Sequence, residues 1–160
     1  MPRELKVSEA NRFYPGGDIV WREDPKGDRH EQVRRIVETG IVEGVQGLGD
    51  AGRPAVLDIE VTRFHALTEK ARYTVGGVHA IQFIMQMRDA GTGAPLSEPK
   101  FVKADFKALG GQEAIRAEAR GLTQKARITR HLAQVIRTEM TDPRGYHAAN
   151  LGLIGVLNQL

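Results

Sequence analysis

The chain is organised around residues 110–140, GGQEAIRAEARGLTQKARITRHLAQVIRTEM, which have the pattern of one long helix. Apolar and small residues recur in this stretch at spacings of three and four, the period of a helix with one buried face. These residues are Ile115, Ala119, Leu122, Ala126, Thr129, Ala133, Ile136 and Met140. The spacing therefore predicts a single helix over residues 110–140 that packs this apolar seam against the core.

A seam of arginines runs beside the apolar one, one position along the helix. It consists of Arg116, Arg120, Arg127, Arg130 and Arg137. Glu113 is the one acidic residue clearly spaced to pair with a member of this seam, Arg116. Arginines without acidic neighbours suggest a partner that carries negative groups. The alternative is a solvated stripe whose aliphatic stems cover apolar surface.

The segments before residue 110 predict one helix and several strands. Short strands are expected at residues 3–7 and 18–21, with Trp21 as a core anchor. Asp28 is a good N-cap for the first helix, and Gly40 and Gly44 within it would let a neighbouring backbone approach closely. The expected buried face of this helix consists of Val33, Ile36, Val37, Ile41, Val45 and Leu48. Residues 56–64, 78–88 and 96–106 alternate between apolar and polar side chains, as half-buried strands do.

This order of elements predicts an α+β fold, a mostly antiparallel sheet with two helices packed on one face. Residues 1–140 are expected to form a single domain. Residues 141–160 are expected to form a C-terminal tail, for which a docked and a mobile state are both open. Leu151, Ile154, Leu157 and Leu160 are spaced to form a short amphipathic turn.

Composition limits the classes of function. The chain has 160 residues and a net charge of +3, which is too weakly basic to imply nucleic acid. It has no cysteine, so disulfides, thiolate metal sites and a cysteine nucleophile are excluded. No apolar run approaches the ~20 residues that span a bilayer, and Met1 is not followed by a signal-peptide core. The protein is thus expected either to stay in the cytosol or to have lost an export signal ahead of Met1.

No motif in the sequence supports a catalytic, cofactor or metal site. Residues 47–52, GLGDAG, match G-x-G-x-x-G but follow a helix and precede a strand, which is the reverse of a dinucleotide site. None of the five histidines pairs at a spacing of four, so no metal site is expected. His79 is expected to be a hydrogen-bonded core or edge residue. The sequence therefore predicts a non-enzymatic protein without a cofactor.

Two acidic residues provide the one enzymatic alternative. Asp58 and Glu60 lie two apart on a strand, so both carboxylates project from the same face. Together with His79 they would suit acid–base chemistry, if a pocket gathered all three. The solvated face of an antiparallel strand is the favoured interpretation, because the alternation itself predicts it.

Several runs of the sequence resemble an uncharacterised family of bacterial envelope lipoproteins. The runs are VSEAN at residues 7–11, YPGGDIVWR at 14–22, GDRH at 27–30, VTRFH at 61–65, RYTVGGVH at 72–79, ALGGQEAIRAEA at 108–119 and TQK at 123–125. The resemblance covers residues 3–140. It implies an exported, periplasm-facing chain anchored by an N-terminal lipidated cysteine, a residue that this sequence lacks. The order of elements also resembles small α+β domains of envelope lipoproteins that assist transporters or build secretion and outer-membrane assemblies.

These observations favour a non-enzymatic envelope domain that binds protein partners or assembles with itself. The expected contact residues are Arg116, Arg120, Arg127, Arg130 and Arg137, with Arg63 and Arg72 behind them at the joint between two strands. The alternative is a polyanion-binding module for cell-wall polymer, anionic lipid or nucleic acid. Nucleic acid is the least expected of these, because no aromatic residues stand between the helix arginines.

Overall fold

The computed structural model describes residues 1–49, 52–148 and 151, which contain five strands and four helices. In chain order the elements are β1 (Ile19–Val20), α1 (Arg29–Val45), β2 (Ala55–His65), α2 (Glu69–Arg72), β3 (Gly77–Asp89), β4 (Lys100–Lys103), β5 (Phe106–Ala108), α3 (Gly111–Glu118) and α4 (Gln124–Thr141). The predicted α+β class is confirmed.

The strands form one mixed, mostly antiparallel sheet in the order β1-β2-β3-β4, with β5 also pairing with β3. The β1 strand runs parallel to the end of β2, where Ile19 lies opposite Phe64. All other pairs are antiparallel. The central hairpin of β2 and β3 pairs ten residues of each strand, with one register shift between Val61 and Arg63. The hairpin forms the centre of the sheet, since β1 pairs with β2, and β4 and β5 pair with β3.

Alternation along the hairpin determines its two faces. Val61, Phe83 and Val102 lie opposite one another on neighbouring strands and are almost fully buried. Their neighbours in sequence on the other face, such as Glu60 and Phe101, are exposed. The α1 and α4 helices contribute Val33, Ile36, Ile128, Leu132, Val135 and Ile136 to the same core cluster as the buried face. The two helices thus cover one face of the sheet.

The α1 helix begins and packs as its sequence predicts. The Asp28 carboxylate accepts a hydrogen bond from the Glu31 backbone N–H (3.1 Å), as an N-cap does. A Cβ atom on Gly44 would lie 2.8 Å from the Ala133 carbonyl oxygen, and one on Gly40 would lie 2.7 Å from Leu132 Cβ. Both glycines therefore let α1 and α4 approach closely. The expected burial of Val45 at the end of α1 is wrong, because its side chain is exposed.

The predicted single helix over residues 110–140 is wrong, because the chain breaks between α3 and α4. Gly121 adopts a positive φ of 77°, which favours glycine. The Leu122 N–H donates to the Ala117 carbonyl (2.9 Å) and the Gly121 N–H to the Glu118 carbonyl (2.8 Å), the two bonds of a Schellman motif. Thr123 then caps α4 by accepting from the Ala126 N–H (3.2 Å).

This break changes which residues of the stretch are buried. On α3 the buried residues are Ala114 and Ala117, and on α4 they are Gln124, Ile128, Leu132, Val135 and Ile136. The predicted apolar seam is therefore wrong in α3, where Ile115 and Ala119 are exposed. In α4 only Ile136 of the predicted seam is fully buried. The spacing of three and four continues across Gly121 in the sequence. Because α3 and α4 are separate helices, however, the residues of the predicted seam do not lie on one common buried face.

Two predicted strands are shorter than expected. Residues 96–106 form β4 and β5, separated by Asp105, whose carboxylate accepts from the Ile81 N–H (3.0 Å). Residues 3–7 contribute only an isolated parallel bridge from Val7 to Ile19. Trp21 is fully buried, as predicted, and its ring meets that of Phe64 edge-on with centroids 5.9 Å apart.

The segment after α4 is described as far as residue 148, together with Leu151. The Tyr146 N–H donates to Glu139 Oε1 (2.9 Å), and its ring meets the His131 ring edge-on. Of the predicted amphipathic turn, Ile154, Leu157 and Leu160 lie outside the described residues. Among the helices that are described, none combines the length and apolar character needed to cross a bilayer.

Candidate functional site

The seven arginines singled out in the sequence do not form one surface. Arg116, Arg120, Arg130 and Arg137 are exposed, Arg63 and Arg127 are half-buried, and Arg72 is buried. The break at Gly121 separates the first two helix arginines from the other three. The structure therefore divides the set into arginines that bind other groups of the chain and arginines that pair with no carboxylate among the described residues.

Arg72 belongs to the first group. Its Nε atom lies 2.5 Å from Glu118 Oε1, and its Nη1 atom lies 3.6 Å from Glu23 Oε2. Glu23 also accepts from the backbone N–H of Lys125 in the first turn of α4 (3.0 Å). Arg72 thus joins α2, α3 and the segment after β1, and it is not accessible to a partner.

Arg137 and Arg63 are also bound within the chain. Arg137 Nη2 donates to the carbonyl oxygens of Glu43 (3.2 Å) and Gln46 (2.9 Å), where it satisfies acceptors at the end of α1. Arg63 Nη2 lies 3.3 Å from His65 Nδ1. These contacts stabilise the fold, although Arg137 remains largely solvent-exposed.

Arg116, Arg120 and Arg130 form the second group. Within the described part of the chain, none of them pairs with a carboxylate. Glu113, the expected partner of Arg116, forms no ion pair with it. Arg116 lies on the outward side of α3 beside Ile115, whose side chain is 44% exposed. The α3 helix therefore presents apolar and cationic groups together.

A turn after α2 extends this exposed area. Gly76 and Gly110 pack so closely that a Cβ on Gly110 would lie 2.1 Å from the Gly76 backbone nitrogen. This contact holds the turn at residues 73–75 against the start of α3, and the Tyr73 hydroxyl donates to Glu118 Oε2 (3.3 Å). Tyr73 is 47% and Val75 is 78% exposed. We call the area formed by Tyr73, Val75, Ile115, Arg116 and Arg120 the α2–α3 surface.

More exposed aromatic residues adjoin α2 on its other side. Phe13 and Tyr14 are exposed, and Lys70 Nζ lies 4.8 Å from the centre of the Phe13 ring. Their segment is fixed to α2 because the Thr68 hydroxyl donates to the Arg12 carbonyl (2.7 Å) and the Lys70 N–H donates to Asn11 Oδ1 (2.8 Å). Exposed aromatic and cationic groups thus lie together on this side of α2 as well.

Beneath the α2–α3 surface lies a small pocket, which we call the His79 pocket. It is lined by Arg72, His79, Leu109, Ala114, Ala117, Glu118, Leu122, Gln124 and Arg127. Its volume is about 10 Å³, which has room for about one water molecule. The expected hydrogen bonding of His79 is wrong, because neither nitrogen of its fully buried ring has a partner in the part of the chain that the structure describes.

The titration of the His79 pocket follows from burial. Burial, with the nearby charges of Arg127 and Arg72, lowers the pKa of His79 to about 3. The ring is therefore neutral at pH 7. Burial also lowers the pKa of Arg127, whose Nη2 donates to the Lys107 carbonyl (3.0 Å) and whose guanidinium lies 5.5 Å from the Phe106 ring centre.

The acid–base trio considered in the sequence is not assembled. Asp58 and Glu60 are exposed on the open face of the sheet, and Asp58 Oδ2 lies 3.2 Å from Arg88 Nε. His79 is buried on β3 among residues of the covered face. The arrangement of Asp58, Glu60 and His79 therefore does not support their joint catalysis.

Two features of this end were not predicted from the sequence. Val75 and Ile115 were not recognised as exposed; Ile115 was assigned to the buried seam. The Gly76–Gly77 pair was a usable signal, since a glycine pair marks a turn and turns lie at the surface, where Val75 would be exposed. The half-buried place of Arg127 depends on the phase of α4, which Gly121 and Thr123 determine.

No group of three or more His, Asp or Glu side chains with the geometry of a metal site occurs in the described ranges. Comparison with known proteins gives one match. Residues 1–156 match a family of unknown function (DUF6778), and the chain belongs to this family. No curated protein and no solved structure shows significant similarity to it.

Proposed function

Starting from membership in a family without assigned function, we propose that the chain is a non-enzymatic domain that binds a protein partner through the α2–α3 surface. The partner is expected to present acidic groups around an apolar contact. The observation that carries this proposal is the combination of exposed apolar side chains at Tyr73, Val75 and Ile115 with Arg116, which pairs with no carboxylate of residues 1–49 and 52–148. Interfaces commonly combine an apolar centre with a polar rim that contains arginine.

Electrostatics supports a specific contact at this surface. On α1, by contrast, Arg34 and Arg35 both pair with Glu31. Uncompensated cations beside apolar groups increase the association rate with an acidic partner and disfavour basic ones. The α2–α3 surface therefore favours a partner of opposite charge.

We place this binding in the bacterial cell envelope, on the periplasmic side. The support is the resemblance of the sequence runs, among them RYTVGGVH at residues 72–79, to envelope lipoproteins. That resemblance also implies anchoring by an N-terminal lipid in the full-length protein. Detection of a lipidated N-terminus by mass spectrometry, in cells that express the complete reading frame, tests this placement. An unmodified protein recovered from the cytosolic fraction would contradict it.

Site-specific photo-crosslinking tests the surface. Benzoylphenylalanine is introduced at Val75 or Ile115, and as controls at Val56 or Phe101, which are exposed on the open face of the sheet. We expect defined adducts from the first pair only. The double change Arg116→Glu/Arg120→Glu should reduce the adducts by about tenfold because charge complementarity is reversed.

The matched control for charge is Arg144→Glu, which makes the same change at an exposed arginine beyond the other end of α4. It should leave the adducts unchanged. Equal crosslinking from all four positions, or adducts that the double variant preserves, would contradict the assignment of the partner to this surface.

Light scattering at low and moderate salt tests whether the partner is a second copy of the chain. A defined oligomer at both salt concentrations, lost in the Arg116→Glu/Arg120→Glu variant, would identify self-assembly. A monomer under both conditions would direct the search to a different protein.

A second candidate function is binding to a polyanion. It is favoured by three exposed arginines that have no carboxylate partner within the described ranges, Arg116, Arg120 and Arg130. Its test is binding to vesicles that contain phosphatidylglycerol, with affinity falling steeply as salt increases. Absence of binding at low salt would eliminate this candidate and leave the protein-binding proposal intact.

A further inference from the structure

The His79 pocket contains hydrogen-bond donors that the chain does not use. His79 is fully buried, and neither ring nitrogen has a partner among the described residues. A buried polar group without a partner destabilises the folded state. Nearly all buried polar atoms in folded proteins are satisfied, so such a group calls for a partner supplied from outside the chain.

Arg127 supplies a second set of unused donors in the same pocket. A guanidinium carries five N–H groups. One of them donates to the Lys107 carbonyl, and within the described part of the chain no carboxylate pairs with Arg127. The half-buried cation is therefore without a counter-charge and lines a void beside a neutral donor.

The other polar side chains of the pocket have partners within the chain, although Glu118 Oε1 forms an ion pair without a hydrogen bond among the described residues. The Gln124 amide accepts from the Leu67 N–H (3.0 Å) and donates to the Leu67 carbonyl (3.3 Å). Glu118 is bound by Arg72 and by the Tyr73 hydroxyl. Arg72 is compensated by Glu118 and Glu23, so the uncompensated charge of the described lining is that of Arg127. Among the described donors of this lining, His79 and Arg127 are the ones without a carboxylate partner.

We propose that the His79 pocket binds a single carboxylate group, with Arg127 and His79 as its donors. The void of about 10 Å³ has room for about one water-sized atom, so one carboxylate oxygen would enter it while the rest of the ligand stays outside. Arginine pairs with carboxylates through parallel N–H bonds, and the neutral imidazole donates from one nitrogen. Arg127, Leu109 and Leu122 are half-buried, so the lining reaches the surface.

This ligand site is separate from the proposed partner contact. The α2–α3 surface is defined by outward side chains of α3 and the preceding turn, whereas the pocket lies beneath them. The two proposals can therefore succeed or fail independently.

Thermal unfolding in sodium formate tests the site. Formate should raise the Tm of the wild-type protein by about 2–4 °C more than sodium chloride at the same ionic strength, because a ligand that binds only the folded state stabilises it. Arg127→Gln should abolish this difference. Arg130→Gln, the same change one turn along α4 at an exposed arginine, should retain it.

Nitrogen NMR of the histidine rings gives a second readout that does not depend on stability. Formate should shift the ring resonances of His79 and leave those of exposed His147 in place. The proposal is overturned if chloride stabilises the protein as much as formate does, if Arg127→Gln keeps the formate effect, or if the His79 resonances do not move.

Two probes distinguish the source of the carboxylate. If acetyl-Ala-Asp-Ala-amide displaces formate at lower concentration, the site receives an acidic side chain of a protein. If only formate and acetate bind, the ligand is a free small acid. Both results retain the carboxylate assignment, whereas binding by neither probe refutes it.

Discussion

The α1–α4 interface and the α2–α3 surface differ in how completely their groups are satisfied. Between α1 and α4, glycines allow close packing, and Arg137 binds the carbonyls at the end of α1. At the α2–α3 surface, no described residue provides a carboxylate partner for Arg116 or a hydrogen-bond partner for His79 beneath it. Interactions in the first region are used for folding. In the second region, the Arg116 charge and the His79 ring nitrogens can still form favourable interactions with a ligand.

The largest expected effect concerns a buried charge at the start of α1. Arg29 is 4% exposed and donates to Glu9, Gln32 and two backbone carbonyls. Arg29→Met should lower the free energy of unfolding by about 2–4 kcal/mol, because the Asp24 and Pro25 carbonyls lose a buried charged donor. The Glu9 carboxylate adds less, since its side chain is 48% exposed and can be solvated. Urea unfolding measures this change.

Arg35→Met is the matched control, since Arg35 lies on the same helix and pairs with Glu31 while its side chain is 73% exposed. An exposed pair contributes about 0–1 kcal/mol. Equal losses of unfolding free energy in the two variants would show that burial of the Arg29 charge at the start of α1 does not add to the stability of the fold.

The next effect tests the close approach of the helices. Gly40→Ala and Gly44→Ala should each destabilise by about 1–3 kcal/mol, since the added methyl groups overpack the interface. In an exposed helix the same change would stabilise by about 1 kcal/mol. Glu43→Ala, at an exposed position of α1, is the control and should change stability little. Stabilisation by Gly44→Ala in urea unfolding would contradict the packing.

The third prediction concerns the unsatisfied histidine. The folded protein holds the pKa of His79 at about 3, below the ordinary value of 6.5. Below pH 6.5 the unfolded chain therefore takes up a proton that the folded chain does not, and stability falls as the pH decreases from 7 to 5. The contribution of His79 is about 2 kcal/mol at pH 5.

His79→Leu should remove this share of the pH dependence, as measured by urea unfolding at pH 5, 6 and 7. The loss from His65 and His131, whose pKa values burial lowers to about 4, should remain. An unchanged pH dependence in the variant would show that His79 is not buried in its neutral form.

The smallest expected effect concerns the arginines of the α2–α3 surface. Arg116→Glu/Arg120→Glu should change the free energy of unfolding by less than about 0.5 kcal/mol, because these exposed side chains have no partners in the described chain. A loss above 1 kcal/mol would assign the two arginines to the fold, and would remove them from the proposed binding surface.

The sequence predicts those parts of the fold that depend on local patterns. Alternation identified β2 and β3, Asp28 marked the start of α1, and Gly40 and Gly44 indicated a close neighbour. The break at Gly121 has local signals too, a C-terminal glycine followed by the N-cap Thr123. These signals were obscured because the regular spacings of the apolar residues and of the arginines both continue across Gly121 and Thr123.

The candidate site was less predictable, because it depends on contacts between distant segments. Arg72 is buried by Glu23 and Glu118, which lie 49 and 46 positions away in the sequence. No spacing rule connects such residues. Of the seven predicted arginines, Arg116 and Arg120 lie on the α2–α3 surface, and Arg127 lines the pocket beneath it.

The anchoring of α4 by the segment after β1 has a consequence for synthesis. Lys125 binds Glu23 through its backbone and Asp24 through its side chain, across about a hundred residues. The inner face of the β2–β3 hairpin is covered by α4, so it stays exposed on the ribosome until nearly the whole domain has emerged. Such non-local contacts delay folding and leave apolar surface open to aggregation. We therefore expect nascent chains that end before residue 124 to bind chaperones, and release to follow the emergence of α4.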